Sequence, residues 1–174
     1  MGIQFETDYN METLTAMAKG LRKTVRKKRS RRVHIFAAVV LILGLLTILA
    51  AVAGGEPLGA SGVVTLLAML VVILVSLFED KLNAWFARKR LLPGTEHAAA
   101  TFEEDGYVSA TGVTESRFSY AQIVAVAETA RYFVFALSSH HTQAYDKRNI
   151  RGGSVEDFRA FIAEKTGKLV EKIK

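Results

Sequence analysis

The sequence predicts an α+β membrane protein in which a hairpin of two transmembrane helices is joined to a small antiparallel β domain closed by a C-terminal helix. Two long apolar runs occupy residues 33–53 and 59–78. After Pro93-Gly94 the apolar residues alternate with a period of two, interrupted by turn residues. A helical period returns after Ser154. We therefore divide the chain into an N-terminal segment (1–32), a transmembrane hairpin with an exit helix (33–92) and a C-terminal domain (93–174).

The apolar runs have the length and composition of membrane-spanning helices. The first run has His34 at its edge as its only ionisable group, and the second has no charge. Helices of this size rise about 30 Å, which matches the hydrocarbon core of a bilayer. The link GGEPLG contains Pro57 and two glycines, which cannot continue a helix, so we expect an antiparallel hairpin. A channel or transporter is not favoured because strongly polar groups are missing at mid-membrane.

Small residues recur along one face of each predicted helix. Because small side chains let helices approach closely in lipid, we expect the two faces to meet each other, although the same faces could mediate a homodimer. The residues are Ala37, Gly44 and Ala51 in the first helix and Gly62, Thr65, Met69, Val72 and Ser76 in the second.

The distribution of basic residues predicts the orientation of the hairpin. Residues 19–32 contain nine bases and no acid, and Lys81 and residues 88–90 add four bases after the second run. The link between the runs contains Glu56 and no base. Since basic flanks remain in the cytoplasm, both chain ends are predicted to be cytoplasmic and Glu56 to lie outside.

The basic flanks also predict contact with the anionic lipids of the inner leaflet. The alternative is that they only set the orientation of the adjacent helices. Binding of nucleic acid is not favoured, because neither interleaved aromatic residues nor a binding fold accompanies the bases. The residues expected at the headgroups are Arg26, Lys27, Lys28, Arg29, Arg31, Arg32, Trp85, Arg88, Lys89 and Arg90.

The segments beside the membrane runs have their own predicted structure. The spacing of Leu14, Met17 and Leu21 predicts a helix over about 11–30 that continues into the first membrane helix. The exit helix is predicted to end near Leu91. The stretch IQFET before them predicts a strand, and the C-terminal domain on the same side of the membrane could supply its partner sheet.

The C-terminal domain is predicted to contain five to seven short strands, as an antiparallel sheet or partly open barrel. Asp105-Gly106 is a two-residue hairpin motif, and YAQIVAVAET and RYFVFALS are strand-like. Ser154 with Asp157 predicts a capping box, followed by an apolar helical stripe that extends to Leu169.

These segments together resemble the family of bacterial YcxB-like proteins. The resemblance depends on EEDGYV, FSYAQIVAVAET, RYFVFAL, AYDKRNI and EDFRAFI, and on the order of the preceding strand, basic helix and membrane runs. It implies a multi-pass protein of the bacterial inner (plasma) membrane with a pleckstrin-homology-like cytoplasmic domain. It implies no known reaction or ligand.

Few residues suggest chemistry. The chain has no cysteine, and His140-His141 lack the converging ligands that a metal requires. Ser138 and Ser139 stand beside these histidines without a nucleophile elbow or an orienting acid. We therefore predict no catalytic, cofactor or metal site.

A non-enzymatic role follows from these observations. Lys147, Arg148 and Arg151, in a predicted strand-to-helix turn, are the candidate surface for a protein partner. The expected function is a cytoplasmic binding or scaffold domain tethered to the membrane. The alternatives are an accessory subunit that docks into a larger membrane complex through its hairpin, and a membrane hydrolase with a dispersed site.

Overall fold

The computed structural model describes residues 2–55 and 59–173, so the predictions for Glu56 and Pro57 lie outside the described residues. The chain forms five α-helices and eight strands in the described part. In order they are β1 (Ile3–Asp8), α1 (Met11–Lys23), α2 (Lys27–Ala53), α3 (Ala60–Leu77), α4 (Glu79–Lys89), β2 (His97–Phe102), β3 (Tyr107–Thr111), β4 (Glu115–Phe118), β5 (Ala125–Glu128), β6 (Tyr132–Ala136), β7 (Thr142–Asp146), α5 (Val155–Thr166) and β8 (Val170–Lys172).

Helices α2 and α3 form the predicted hairpin, and both are long and apolar enough to cross a membrane. Neither helix contains a buried residue, so most of its apolar surface faces outward. The two predicted small-residue faces meet: a Cβ at Gly44 would lie 2.8 Å from Met69 Sδ and 3.6 Å from Thr65 Cγ2. Helices α2 and α3 therefore approach each other closely at Gly44, as expected for helices that pack in lipid.

The basic N-terminal helix does not run continuously into the hairpin, which corrects the prediction of one helix over 11–30. Helix α1 ends at Lys23, and a turn over residues 24–26 precedes α2. The hydroxyl of Thr24 donates to the Gly20 carbonyl (2.7 Å), and the Arg26 N–H donates to the Leu21 carbonyl (2.9 Å). This turn lets α1 lie on the C-terminal domain while α2 enters the hairpin.

The strands form two four-stranded sheets that do not close into a barrel. The first sheet has the order β1-β2-β3-β4 and is antiparallel. The second has the order β7-β6-β5-β8, in which only the β5–β8 pair is parallel. The N-terminal strand finds its partner in β2, as predicted, so both ends of the hairpin lead to the same domain.

An aromatic core fills the space between the two sheets and α5. Phe5 of β1 lies 4.6 Å from the ring of Phe158 in α5, and Phe135 lies 4.8 Å from Tyr145, as centroid distances. The opposite face of β6 is also buried, because α1 covers Tyr132 and Val134. Strand β6 is therefore apolar on both faces, as a strand covered on both sides must be.

Local details of the domain depart from the sequence prediction. The turn of the β2–β3 hairpin has Glu104 and Asp105 as its two central residues, rather than Asp105 and Gly106. The Glu103 N–H closes this turn by donating to the Gly106 carbonyl (2.9 Å). A Cβ at Gly106 would lie 2.5 Å from the Phe118 carbonyl oxygen. The close approach of these two backbone segments therefore requires glycine at this position.

Helix α5 begins at the predicted Ser154–Asp157 capping box and ends at Gly167, which has a positive φ of 63°. Leu169 is therefore outside the helix and is 89% exposed. The segment YAQIVAVAET is also divided, into a 3-10 turn at Tyr120–Gln122 and the short strand β5.

Candidate functional site

The hairpin and the C-terminal domain are joined by two packed helices rather than by a loose linker. Helix α4 packs along α1, with Ala84 fully buried. Near the hairpin, Arg22 of α1 donates from Nε and Nη2 to the two carboxylate oxygens of Asp80 (2.7 and 2.6 Å). These hydrogen bonds raise the pKa of Arg22. A bidentate pair of this kind fixes the relative orientation of two helices.

A cavity of about 540 Å³ lies at this junction, between α1, the start of α2, α4 and the β6–β7 turn. We call it the junction cavity. Its charged lining contains four arginines and one carboxylate, and Val33 and Phe86 contribute apolar surface. The charged and titratable residues are Arg22, Arg26, Arg29, Glu79, Arg90 and His140.

Two of the four arginines in the junction cavity are held by the protein. Arg22 binds Asp80, and Arg26 donates from Nε to the Ser139 carbonyl oxygen (2.7 Å). Arg26 Nη2 lies 2.9 Å from Nδ1 of His140, and because guanidinium only donates, this nitrogen accepts. Arg29 and Arg90 are exposed and form no ion pair within the described part of the chain.

A larger cleft of about 870 Å³ runs along the other side of α1, and we call it the α1 cleft. It lies between α1, the β5–β6 turn, β6 and β8, and Lys81 of α4 also lines it. Met11, Ala16, Tyr132 and Ile173 supply apolar surface. The charged lining residues are Glu12, Lys19, Lys81, Glu128, Arg131, Lys147 and Lys172.

Glu128 is the buried centre of the charge network beside the α1 cleft. Arg159 donates from Nε and Nη2 to its two oxygens (2.7 and 2.8 Å), and Lys147 Nζ donates at 3.0 Å. The hydrogen bonds from Arg159, followed by that from Lys147, lower the pKa of Glu128 to about 2, against the opposing effect of burial. The carboxylate is thus ionised and occupied by protein partners, which suits a structural role.

A second network ties α1 to the sheet at the far end of the cleft. Arg131 donates from Nε and Nη2 to Asp146 Oδ2 (2.9 and 2.8 Å) and also binds Glu12 of α1. Three lysines of the cleft form no ion pair with any residue that the structure describes (2–55 and 59–173). They are Lys19, Lys81 and Lys172. The cleft therefore combines an apolar floor with three available cations.

The structure separates the residues that the sequence assigned to lipid headgroups. Arg26, Arg29 and Arg90 line the junction cavity. The remaining members lie outside it on exposed helix surface, and Lys89 Nζ is 3.6 Å above the ring of Trp85. Those remaining members are Lys27, Lys28, Arg31, Arg32, Trp85, Arg88 and Lys89.

The three residues assigned to a protein surface each lie beside a carboxylate. Lys147 lines the α1 cleft, where it binds Glu128. Arg148 is paired with Asp146 (3.1 Å), and Arg151 with Glu6 of β1 (3.3 Å). Two of these pairs join distant segments, whereas the Arg148–Asp146 pair is local to the turn.

The serines and histidines of the β6–β7 turn have turn-forming contacts. Ser138 Oγ accepts hydrogen bonds from the backbone N–H groups of His140 and His141 (3.1 and 3.0 Å). His140 Nδ1 faces Arg26, as described above. Over residues 2–55 and 59–173, no group of three or more metal-ligating side chains converges.

Sequence reasoning missed Arg22, Glu128 and Asp146, which organise both cavities. Arg22 is one of nine bases in the basic flank, and nothing local distinguishes it, because its partner Asp80 is 58 residues away. Glu128 and Asp146 are the last residues of β5 and β7, and both are buried, so each charge requires a partner. A carboxylate at the end of a predicted strand is the only local feature that could have identified them.

The comparison with protein-family models returned the YcxB-like protein family over residues 102–162, which extends from the end of β2 into α5. This match confirms the resemblance for that part of the chain. No curated protein and no solved structure shows significant similarity to the sequence.

Proposed function

We propose that this protein is a non-catalytic binding module that holds a cytoplasmic domain at the inner membrane of a bacterium and binds a protein partner through the α1 cleft. The observation that supports this function most directly is the cleft itself, with an apolar floor and three lysines without an ion pair. A cleft of about 870 Å³ falls within the usual range of binding sites.

The charge of the cleft specifies the kind of partner. Lys19, Lys81 and Lys172 favour acidic groups, while Ala16, Tyr132 and Ile173 favour apolar side chains. The expected partner segment therefore has apolar residues flanked by Asp or Glu, because complementary charge selects and orients such a segment.

The junction gives the module a defined position. The Arg22–Asp80 pair and the buried Ala84 hold α1 and α4 together, so the α1 cleft keeps a fixed height above the hairpin. A partner that also resides at the membrane meets the cleft at raised local concentration.

Site-specific photocrosslinking in the native cells tests this function. One crosslinker replaces Ala130, an exposed residue that lines the α1 cleft, and a second replaces Leu67, which is exposed on the hairpin. We expect Ala130 to capture one recurrent protein, and charge reversal by Lys19→Glu and Lys172→Glu to reduce that capture. Capture of another membrane protein from Leu67 alone would contradict the proposal and favour an accessory subunit docked through the hairpin.

A further inference from the structure

We propose that the junction cavity is a binding site for the headgroup of one acidic phospholipid from the adjoining leaflet. This inference deepens the proposed function, because it assigns a lipid ligand to the base of the same module. It concerns a different cavity from the α1 cleft, so the two proposals can fail separately.

The charge balance of the junction cavity supports an anionic ligand. Arg22 is paired with Asp80 and lies 3.8 Å from Glu79, the one carboxylate in the lining, and Arg26 is held by the β6–β7 turn. Arg29 and Arg90 are left without a carboxylate partner in the described chain, and both line the cavity. Guanidinium groups bind phosphate in bidentate fashion, so two arginines without a carboxylate partner that line one cavity suit a phosphodiester.

The position of the cavity selects a lipid over a soluble anion. Its apolar lining includes Val33, the first residue of the apolar run in α2. Arg29 precedes Val33 by four residues and therefore lies on the same face of the helix, one turn farther from the apolar run. A phosphate at Arg29 would thus stand at headgroup level.

The apolar part of the lining suits the remainder of the lipid. Val33 and Phe86 face the same cavity as the arginines and are exposed in the protein alone. The glycerol and first methylenes of an acyl chain would cover these side chains, while the arginines hold the phosphate. A free anion would leave this apolar surface uncovered.

The cavity arginines also differ in position from the other basic residues beside the apolar run. The cavity lining does not include four other bases that lie within six residues of the apolar run, namely Lys27, Lys28, Arg31 and Arg32. Specific binding predicts that charge inside the cavity matters more than the same charge on the outer helix surface.

The test uses the full chain in phosphatidylcholine nanodiscs with and without phosphatidylglycerol, and measures the phosphatidylglycerol retained after extraction in mild detergent by native mass spectrometry. The cavity variant is Arg29→Gln with Arg90→Gln. The matched control is Lys28→Gln with Arg88→Gln, which removes the same charge outside the cavity from α2 and from the last turn of α4, two residues before Arg90.

We expect the cavity variant to bind phosphatidylglycerol about tenfold more weakly, because it loses charge-assisted hydrogen bonds to the phosphate, and the control to change less than about threefold. Arg29→Lys with Arg90→Lys keeps the charge but not the bidentate geometry, so its phosphatidylglycerol binding should lie between that of the cavity variant and that of the control. This lysine pair replaces the glutamine pair as the test variant if the glutamine pair fails to fold. Excess inorganic phosphate should not displace the retained lipid.

Three results would overturn the lipid site. These are equal loss in cavity variant and control, no loss in either, or displacement by inorganic phosphate. Crosslinking from Ala130 is measured on the same variants. A cavity variant that loses lipid but keeps the Ala130 crosslink supports both proposals, and loss of lipid without any crosslink in the unmodified protein supports the lipid site alone.

Discussion

The hairpin and the C-terminal domain contain similar amounts of apolar side chain but use it in opposite ways. In α2 and α3 no residue is buried, and many large apolar side chains face outward, while Gly44 of α2 meets Met69 and Thr65 of α3 at the contact. In the domain the large side chains meet each other, and Phe102, Phe133, Phe135 and Phe158 are fully buried.

The contrast follows from the surroundings of each region. Water drives the aromatic side chains of the domain together. A hydrocarbon solvent gives no such drive, so close backbone approach holds the hairpin instead. Equivalent substitutions should therefore change the free energy of unfolding by different amounts in the two regions. The largest change is expected in the aromatic core and the smallest in the hairpin.

The largest expected effect is the loss of an aromatic side chain from the domain core. Phe5 is 1% exposed and contacts Phe102, Tyr145 and Phe158. Phe5→Ala should lower the free energy of unfolding by about 3–5 kcal/mol, measured by urea unfolding in mild detergent. The control is Phe36→Ala on the hairpin, where the side chain is 70% exposed. Equal losses in the two variants would contradict the contrast.

The next effect concerns the buried carboxylate of the domain. Because the folded-state pKa of Glu128 is about 2, below its ordinary value of 4.5, its contribution is complete above about pH 4.5 and is lost as the pH falls toward 2. Glu128→Gln should cost about 3 kcal/mol at neutral pH, because it removes the buried negative charge that Arg159 and Lys147 share, and much less near pH 2.

Unfolding measured across this pH range, with Glu156→Gln as the control, tests the Glu128 prediction. Glu156 also approaches Arg159 (3.7 Å) but its side chain is 75% exposed, so its substitution should change stability little. A constant difference between Glu128→Gln and the unmodified protein from pH 7 to pH 2 would refute the assignment.

A smaller effect is expected where α1 packs on the sheet. A Cβ at Gly20 would lie 2.7 Å from Val134 Cγ1, and the branched side chain of a buried central strand has little freedom to move. Gly20→Ala should therefore cost about 1–3 kcal/mol of unfolding free energy, despite the better helix propensity of alanine. The double variant with Val134→Ala should recover part of the loss; additive losses would argue against this contact.

The smallest effect is predicted for the corresponding glycine of the hairpin. A Cβ at Gly44 would meet Met69 Sδ at 2.8 Å, but that atom is near the end of a flexible side chain. Gly44→Ala should change stability by less than about 1 kcal/mol, measured under the same conditions. A loss larger than that of Gly20→Ala would show that the hairpin contact is the more rigid one.

Much of this architecture could be predicted from local sequence. The facing residues of α2 and α3, including Gly44 and Met69, follow from spacing alone, because helical geometry places such residues on one face. The pairing of β1 with the C-terminal sheet also followed, since an isolated strand requires a partner. The candidate sites were less accessible, because each combines residues from distant segments, such as Arg29 and Arg90.

The sequence by itself therefore determined the apolar helices, their contact faces, most strands and the capped start of α5, since each depends on neighbours within a few residues. Only the tertiary structure decided where the charges are used. It broke the basic helix at residues 24–26, laid α1 on the sheet and paired Arg22 with Asp80, Glu128 with Arg159 and Arg151 with Glu6. Ion pairs and cavities form between segments that meet only on folding, so their partners do not appear in any local pattern.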